Sequence, residues 1–282
     1  MSRMLGMVAA VLVALGWAGL ARAQAPSPAG EAFLVGVAPH TSARVIIEQY
    51  QPVRAALAQA LGRPVEIVTA PDFTEFARRA VAQEYDVAVT TGHQAELLRA
   101  DAGYAPLVTY KADFLAVLVV DRESPIKKPD GLNGTVVLGL NPSSLVTLWG
   151  LHWLRDKHVA PRQVRFVSAA DSVAQLILAG DAAGGFMSLA NFQKLPADVQ
   201  DRLRIQESSQ PMAGRVYMLN GRDAGLQAKV MAALKGFAAS PEGLRYFSEN
   251  KLDGYRDIGV AELKTMAPFA DEVRQVLKGE SR

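Results

Sequence analysis

Two short stretches, residues 33–41 with the sequence FLVGVAPHT and residues 86–93 with the sequence DVAVTTGH, decide the fold. Each is an apolar run of strand length that stops at polar residues. Between them, apolar residues recur at every fourth position from Val53, and Gly62 stands where the resulting helix should end. This alternation of strand and helix predicts a parallel sheet with helices on its faces.

The same rhythm continues along the rest of the chain. The helix predicted over residues 44–61 contains Pro52, which predicts either a kink or a fresh helical start at that point. The further predicted strands are residues 65–69, 107–111, 114–120, 135–140, 164–167, 185–188, 203–206 and 214–219. The further predicted helices are residues 73–83, 145–158, 172–178 and most of 223–277.

The chain is long enough to form two compact lobes. Its 282 residues exceed the roughly 250 residues that a single core usually supports. Residues 107–111 and 114–120 are two extended runs in succession, which predicts a crossover into a second lobe. We therefore expect a first lobe of residues 33–113 plus 213–282 and a second lobe of residues 114–212.

The N-terminus is typical of an export signal. Arg3 precedes an apolar run from Val8 to Leu20, and Ala21-Arg22-Ala23 has the pattern of a cleavage site. A membrane anchor would need about 20 apolar residues, so residues 1–23 are predicted to be a signal peptide cleaved after Ala23, followed by a leader of residues 24–32. Removing the two signal arginines leaves 28 basic and 28 acidic residues, and this balance argues against nucleic acid or an anionic membrane as partner.

The chain contains no cysteine. An exported protein without cysteine forms no disulfide and cannot carry the lipid-modified N-terminal cysteine that tethers many exported proteins. No later segment is long and apolar enough to cross a bilayer. The sequence therefore predicts a protein that diffuses freely in the periplasm.

Candidate binding residues follow two of the predicted strands. Ligands of open α/β sheets bind at the carboxyl ends of the strands, so the loops that contain His40 and Thr41, and Thr91, Gly92 and His93, are expected to face one crevice. The two histidines could donate hydrogen bonds to an anion, ligate a metal or have structural roles. The nearby loops supply no clear set of further metal ligands, so no metal is predicted.

A third candidate is the turn Asn141-Pro142-Ser143-Ser144, which links a predicted strand to a helix. Backbone N–H groups and hydroxyls at a helix start can bind an anion, although Ser143 or Ser144 could equally cap the helix, and the two roles can coexist. Lys111 in the crossover could meet a negative ligand or be a solvated charge at the hinge.

Catalytic motifs are missing from the sequence. We find no G-x-S-x-G, H-E-x-x-H, Walker A or G-x-G-x-x-G pattern, and there is no cysteine nucleophile. No hydroxyl nucleophile stands beside an evident base either. The sequence therefore predicts a protein that is not an enzyme and has no cofactor.

Several short motifs together resemble one family, the phosphate-, phosphite- and phosphonate-binding periplasmic proteins of ABC importers. The resemblance covers nearly all of the chain after the signal. The motifs that carry it are Tyr50-x-Pro52-Val53 with Leu57 and Leu61-Gly62, Tyr85-Asp86-Val87-Ala88, Phe114-x-Ala116-x-Leu118-Val119-Val120, Ser124-x-Ile126 before Leu132-Asn133-Gly134, and Asn141-Pro142-x-Ser144.

The resemblance implies a type II periplasmic-binding-protein fold in the α/β class. Its two lobes each have a mixed, mainly parallel sheet flanked by helices, and two crossing strands join the lobes at a hinge. The phosphonate-binding members have a D-P-x-S-T-S-G turn, of which Ser144 matches the first hydroxyl while Leu145 and Val146 replace the next two. A later S-H-D pattern reads Ala169-Ala170-Asp171 here, so hydrogen-bond donors that a phosphonate oxyanion uses are lost.

We therefore interpret the chain as the periplasmic solute-binding component of an ABC importer, a monomer that binds a small phosphate-, phosphite- or phosphonate-like anion and works with a permease. One alternative is a periplasmic sensor that signals to a membrane histidine kinase, and another is an enzyme on the same fold. The residues predicted to bind ligand are His40, Thr41, Thr91, Gly92, His93, Lys111, Ser143 and Ser144.

Overall fold

The computed structural model describes residues 31–279, so the predicted signal peptide and most of the leader lie outside the described residues. Two sheets of six and five strands form the framework. The strands are β1 (Phe33–Val37), β2 (Val65–Val68), β3 (Val87–Thr91), β4 (Ala105–Tyr110), β5 (Ala116–Asp121), β6 (Val136–Gly139), β7 (Gln163–Phe166), β8 (Gly184–Ser188), β9 (Leu203–Ser208), β10 (Arg215–Leu219) and β11 (Tyr255–Asp257). The helices are α1 (Ala43–Gln49), α2 (Gln51–Leu61), α3 (Phe73–Val81), α4 (Gly92–Asp101), α5 (Leu145–Asp156), α6 (Ala170–Leu178), α7 (Leu189–Phe192), α8 (Ala197–Asp201), α9 (Gln227–Ala239), α10 (Pro241–Asn250), α11 (Val260–Lys264) and α12 (Ala267–Leu277), with 3₁₀ turns at Pro129–Leu132 and Gly221–Leu226.

Both sheets are mixed, but the prediction that they are mainly parallel was wrong: within residues 31–279 the first has two parallel and three antiparallel pairings and the second has two of each. The first has the order β11-β4-β10-β3-β1-β2, in which β1 to β4 run the same way and β10 and β11 run against them. The second has the order β7-β6-β8-β5-β9, and only β5 runs against the others. Helices flank both sheets, so the predicted two-lobed α/β fold of type II is confirmed.

Two extended segments connect the sheets. Residues 111–115 lead from β4 to β5, and residues 209–214 lead back from β9 to β10. They pair where the N–H of Met212 donates to the carbonyl of Phe114 at 3.0 Å. These are the two crossing strands that the fold class requires at the hinge.

The helical pattern from residue 44 to residue 61 forms two helices. Helix α1 ends at Tyr50, and Pro52 lies in the first turn of α2, where a proline costs no helical hydrogen bond. Gly62 ends α2 in the left-handed conformation with φ of 69°. Of the two predicted alternatives, the structure shows a fresh helical start at Pro52 and not a kink.

The prediction that residues 91–93 form a loop was wrong. Thr91 is the last residue of β3, and Gly92 and His93 already belong to α4. Gly92 is a glycine because the backbone of the returning segment comes very close: a Cβ at this position would lie 2.5 Å from the Cβ of Ala213. The short strand β11 was also missed, since its three residues give too little alternation to recognise.

Helix α5 of the second lobe packs against elements of the first. Leu145 belongs to an apolar cluster with Phe76 and Ala213, and Leu148 packs with Leu97 of α4 and Val273 of α12. This face of α5 is therefore buried between the lobes. Among residues 31–279, no helix combines the length and the apolar character that crossing a membrane requires.

Candidate anion site between the lobes

Three polar side chains meet at the carboxyl edge of the first sheet. His40 follows β1 and Thr91 ends β3, and these strands are parallel neighbours. Arg215 begins β10 directly opposite Thr91 in the antiparallel ladder. The guanidinium Nη1 of Arg215 lies 3.0 Å from Nε2 of His40. The sheet order thus brings together side chains that are 175 residues apart in the sequence.

His40 is a neutral acceptor in this arrangement. Its Nδ1 lies 3.0 Å from the carbonyl oxygen of Ala38, which can only accept, so the ring proton sits on Nδ1 and Nε2 accepts from Arg215. Burial, and then the nearby charge of Arg215, lower the pKa of His40 from 6.5 to about 3. The imidazole therefore orients the guanidinium without adding charge.

One edge of the Arg215 guanidinium is anchored and the other is open. The two N–H groups of Nη1 are directed to Nε2 of His40 and, at 3.4 Å, to the hydroxyl of Tyr50. The guanidinium carbon lies 5.1 Å from the centre of the Tyr110 ring. Nε and Nη2 make no hydrogen bond to any of residues 31–279, and neither is among the buried polar atoms that lack a partner. Arg215 is half-buried, and an Nε–Nη2 edge without protein partners is one that can bind two oxygens of an oxyanion at once.

A cluster of tyrosines packs against Arg215. The hydroxyl of Tyr110 lies 2.9 Å from those of Tyr217 and Tyr246 and 3.5 Å from that of Tyr50, and Tyr255 donates to Tyr217 at 2.8 Å. Burial raises the pKa of Tyr110, Tyr217 and Tyr255 well above 10, so their hydroxyls are neutral. The tyrosine cluster therefore packs against Arg215 through neutral groups and does not neutralise the charge of the guanidinium.

A lysine of the second lobe adds to the positive charge near Arg215. Lys194, just after α7 in the second lobe, has its pKa lowered by partial burial and then by the charges of Arg215 and Lys251. Among residues 31–279, no carboxylate forms an ion pair with Arg215 or Lys194. Arg215 is partly buried, and a charge removed from water without a partner is costly, so its arrangement favours a bound anion.

His93 and Ser143, both predicted ligand contacts, contact each other. Nε2 of His93 donates to the carbonyl of Ser143 at 3.0 Å, and Nδ1 lies 3.1 Å from Oγ1 of Thr91, which must then donate. His93 is fully buried, and burial lowers its pKa from 6.5 to about 4. Both ring nitrogens are therefore occupied by protein, and His93 is a bridge from the first lobe to the second.

The two serine hydroxyls of the β6–α5 turn also have protein partners. Oγ of Ser143 lies 2.9 Å from Oγ1 of Thr74 in α3, and Oγ of Ser144 donates to Oγ1 of Thr147 at 3.0 Å. Ser144 occupies the N-cap position of α5 but its side chain makes no bond to a backbone N–H there. The turn thus joins the two lobes, and its role in ligand binding stays a prediction.

The remaining predicted residues, Thr41, Gly92 and Lys111, form no hydrogen bond with Arg215. Thr41 is exposed just before α1, and the N–H of Gly92 donates to the carbonyl of Ala213 at 3.1 Å. Lys111 is exposed and lines a cavity of about 460 Å³ with Tyr255 and other residues of the first lobe. The N–H of Lys111 donates to the carbonyl of Gly254, just before β11, at 2.9 Å, and the role of Lys111 in ligand binding stays a prediction.

A second cavity, of about 560 Å³, lies where β7 meets α6. Its lining includes Ser168, Asp171 and Ser172. Asp171 is the third residue of the Ala169-Ala170-Asp171 stretch, so this cavity lies at the position where the resemblance predicted a lost histidine.

Arg215 and Lys194 are not among the residues predicted from the sequence, and Tyr50 was noted only as part of a family motif. The available signal for Arg215 was a charged residue directly before the buried run Val216 to Leu219, at the point where the chain returns to the first sheet. Its significance depends on the antiparallel register with β3, which a predicted strand does not reveal.

Two sheets joined by two crossing strands, with polar side chains gathered at the carboxyl edge between them, define a type II periplasmic solute-binding protein. The chain belongs to the family of periplasmic substrate-binding proteins of ABC phosphonate transporters, whose family model matches residues 35–263. The predicted family is thereby confirmed. Its members are transport proteins of the periplasm.

Solved structures support the same fold. XAC2383 from Xanthomonas citri, bound to chloride ion, aligns with a TM-score of 0.74 at 19% identity, covering 87% of this chain and 99% of that one. PhnD1 from Prochlorococcus marinus, in complex with methylphosphonate, aligns with a TM-score of 0.74 at 12% identity, covering 86% and 98%. A binding protein component of an ABC phosphonate transporter from Pseudomonas aeruginosa aligns with a TM-score of 0.66 at 12% identity, covering 89% and 99%. The sequence matches none of the curated proteins with which it was compared.

Proposed function

We propose that this protein is the solute-binding component of an ABC importer and that it binds a small oxyanion through the open Nε–Nη2 edge of Arg215. That edge carries the proposal, because Nη1 is already anchored by His40 and Tyr50 and no carboxylate of residues 31–279 neutralises the guanidinium. A phosphate-, phosphite- or phosphonate-like anion would supply both the missing acceptors and the missing charge.

The ligands of similar solved structures support the proposal that this chain binds an anion. XAC2383 is described with chloride and also with ATP, and PhnD1 is described with methylphosphonate. These ligands differ in size but share a negative charge. We propose the same charge class for this chain, with Thr91 beside Arg215 and with Ser143 and Ser144 on the opposite lobe framing the site.

The rest of the transport function follows from the same proposal. Residues 33–113 plus 213–282 would form one lobe and residues 114–212 the other, and the lobes would close on the solute without altering it. The chain would be exported by a signal peptide cleaved after Ala23, carry no lipid, and deliver its ligand to a membrane permease as a monomer.

Calorimetry on refolded, ligand-free protein tests the proposal. The panel is phosphate, phosphite, methylphosphonate, sulfate and arsenate, and we expect heat from at least one of the phosphorus oxyanions. Arg215→Gln should weaken that binding by roughly 10- to 100-fold, since it removes charge-assisted hydrogen bonds worth about 1.5–3 kcal/mol.

The matched control is Arg245→Gln, which removes an exposed arginine that forms no ion pair with residues 31–279. It should bind like the unmodified protein. Thermal melting of both variants checks that they are folded. Equal affinity of Arg215→Gln and Arg245→Gln, or no heat from any anion, would refute the proposal.

A further inference from the structure

Helix α5 of the second lobe is packed on two opposite sides. One side lies on its own sheet: Trp153 and Leu154 share an apolar cluster with Phe186 of β8, and a Cβ on Gly150 would lie 2.4 Å from the Phe186 ring. The other side contacts the first lobe through Leu145, Leu148, His152 and Arg155. These residues are three, four and three positions apart, which places them on one face of the helix.

The first half of this face is apolar and buried. Leu145 belongs to an apolar cluster with Phe76 of α3, and Leu148 packs with Leu97 of α4 and Val273 of α12. Leu145 is 1% exposed and Leu148 is 4% exposed. Because the burial of apolar surface is the main favourable term when two protein surfaces associate, these leucines contribute most to holding the lobes together.

A polar contact joins the far end of α5 to the first lobe. His152 and Arg155 donate to the same carboxylate oxygen of Glu272 in α12, at 2.6 Å and 2.7 Å. The ring of His152 also lies 4.6 Å, centre to centre, from the ring of Phe269. The helix rises about 15 Å between Leu145 and Arg155, so the lobes touch along nearly the whole of α5 as well as at the hinge.

We propose that this face of α5 is a latch that holds the lobes in the closed arrangement, and that the protein rests closed when no ligand is bound. The edge of the cleft is bridged in the same arrangement, since Ser143 bonds to Thr74 and to His93 of the first lobe. Ligand then enters through a minor open form and stabilises the arrangement that the latch already favours. The inference goes beyond the proposed function because it does not depend on which solute binds.

Distances between spin labels on the two lobes test this inference. The chain contains no cysteine, so labels attach only where cysteines are introduced. Glu48→Cys in α1 and Gln175→Cys in α6 place one label at an exposed position of each lobe, and double electron–electron resonance measures the distance between the labels. We expect ligand-free protein to give a single narrow distance that matches the structure and that methylphosphonate leaves unchanged. A predominant longer distance, whether or not methylphosphonate shortens it, would overturn the inference.

Breaking the latch provides a second arm. Leu148→Ala combined with Glu272→Ala should produce a second, longer distance, with the open form at least about tenfold more populated than in the unmodified protein. Glu272→Ala alone, at a half-buried position, should shift the population in the same direction and decides the test if the double variant does not fold. The matched control combines Leu244→Ala with Glu249→Ala, at exposed positions of α10, and should keep the original distance.

Identical distances in the latch and control variants would overturn the inference. These measurements do not require a ligand. A failure of every anion to bind would therefore refute the proposed function without deciding whether α5 is a latch.

Discussion

At the scale of single residues, the two histidines at the edge of the first sheet are both neutral but have different hydrogen-bonding roles. His40 presents an acceptor to Arg215, and His93 donates across the gap to the carbonyl of Ser143. In each case burial is the main reason that the pKa lies below its usual range. A protonated imidazole at either position would lose one hydrogen bond and gain an unfavourable buried charge.

This gives a prediction for the pH dependence of stability. Above pH 6.5 His93 is neutral in both the folded and the unfolded chain. As the pH falls below 6.5, the unfolded chain takes up a proton that the folded chain does not bind until about pH 4, so the free energy of unfolding decreases through this interval. The loss attributable to His93 should reach about 3 kcal/mol.

Urea unfolding at several pH values between 7.5 and 4 measures this loss. His93→Gln keeps a donor for Ser143 but does not titrate, so its free energy of unfolding should fall less steeply than that of the unmodified protein. His158→Gln, at an exposed histidine, should retain the original slope. Identical slopes for all three proteins would contradict the assignment of a buried neutral His93.

At the scale of elements, the limits of α2 can be predicted from the sequence, whereas the start of α4 cannot. Pro52 and Gly62 act through their own backbone geometry, so the limits of α2 are readable locally. Gly92 suggested a turn. Instead, its missing side chain lets the first turn of α4 pack closely against Ala213, about 120 residues later in the chain. The pairing of Arg215 with Thr91 is equally nonlocal, and this explains why the carboxyl-end residues were predicted and their most important partner was not.

Gly92→Ala tests the close approach of α4 and the returning segment. The added Cβ would lie 2.5 Å from the Cβ and 2.7 Å from the carbonyl oxygen of Ala213, so backbone must shift. We expect a loss of about 1–3 kcal/mol in the free energy of unfolding, measured in urea. Gly236→Ala, within α9 and with nothing near its added Cβ, should be neutral or stabilising by up to about 1 kcal/mol. Equal changes in both variants would contradict the packing described here.

At the scale of the whole molecule, the two sheets are joined by more than the hinge. Besides the crossing strands, the β6–α5 turn bonds to His93 and Thr74, and α5 packs against α12. Glu272 of α12 also accepts from His152 at 2.6 Å and from Arg155 at 2.7 Å. The sequence predicted two α/β units from the strand and helix rhythm, but it could not predict which face of α5 lies between them, because that depends on the C-terminal helix.

Leu148→Ala tests this contact between the lobes. Leu148 is buried among side chains of α4 and α12, so its truncation should lower the free energy of unfolding by about 2–5 kcal/mol. Leu244, which is 62% exposed on α10, is the matched control, and Leu244→Ala should change the free energy by less than about 0.5 kcal/mol. A small effect of Leu148→Ala would mean that α5 does not pack between the lobes.

The location of a bound anion tests most directly whether Arg215 is the binding site. A crystal structure of the protein with arsenate, located by the anomalous scattering of arsenic, would identify the site without reference to affinity. We expect arsenic about 4 Å from the guanidinium carbon of Arg215, with two oxygens on Nε and Nη2. Arsenic found only in the cavity beside Asp171, or only at the cavity beside Lys111, would contradict it.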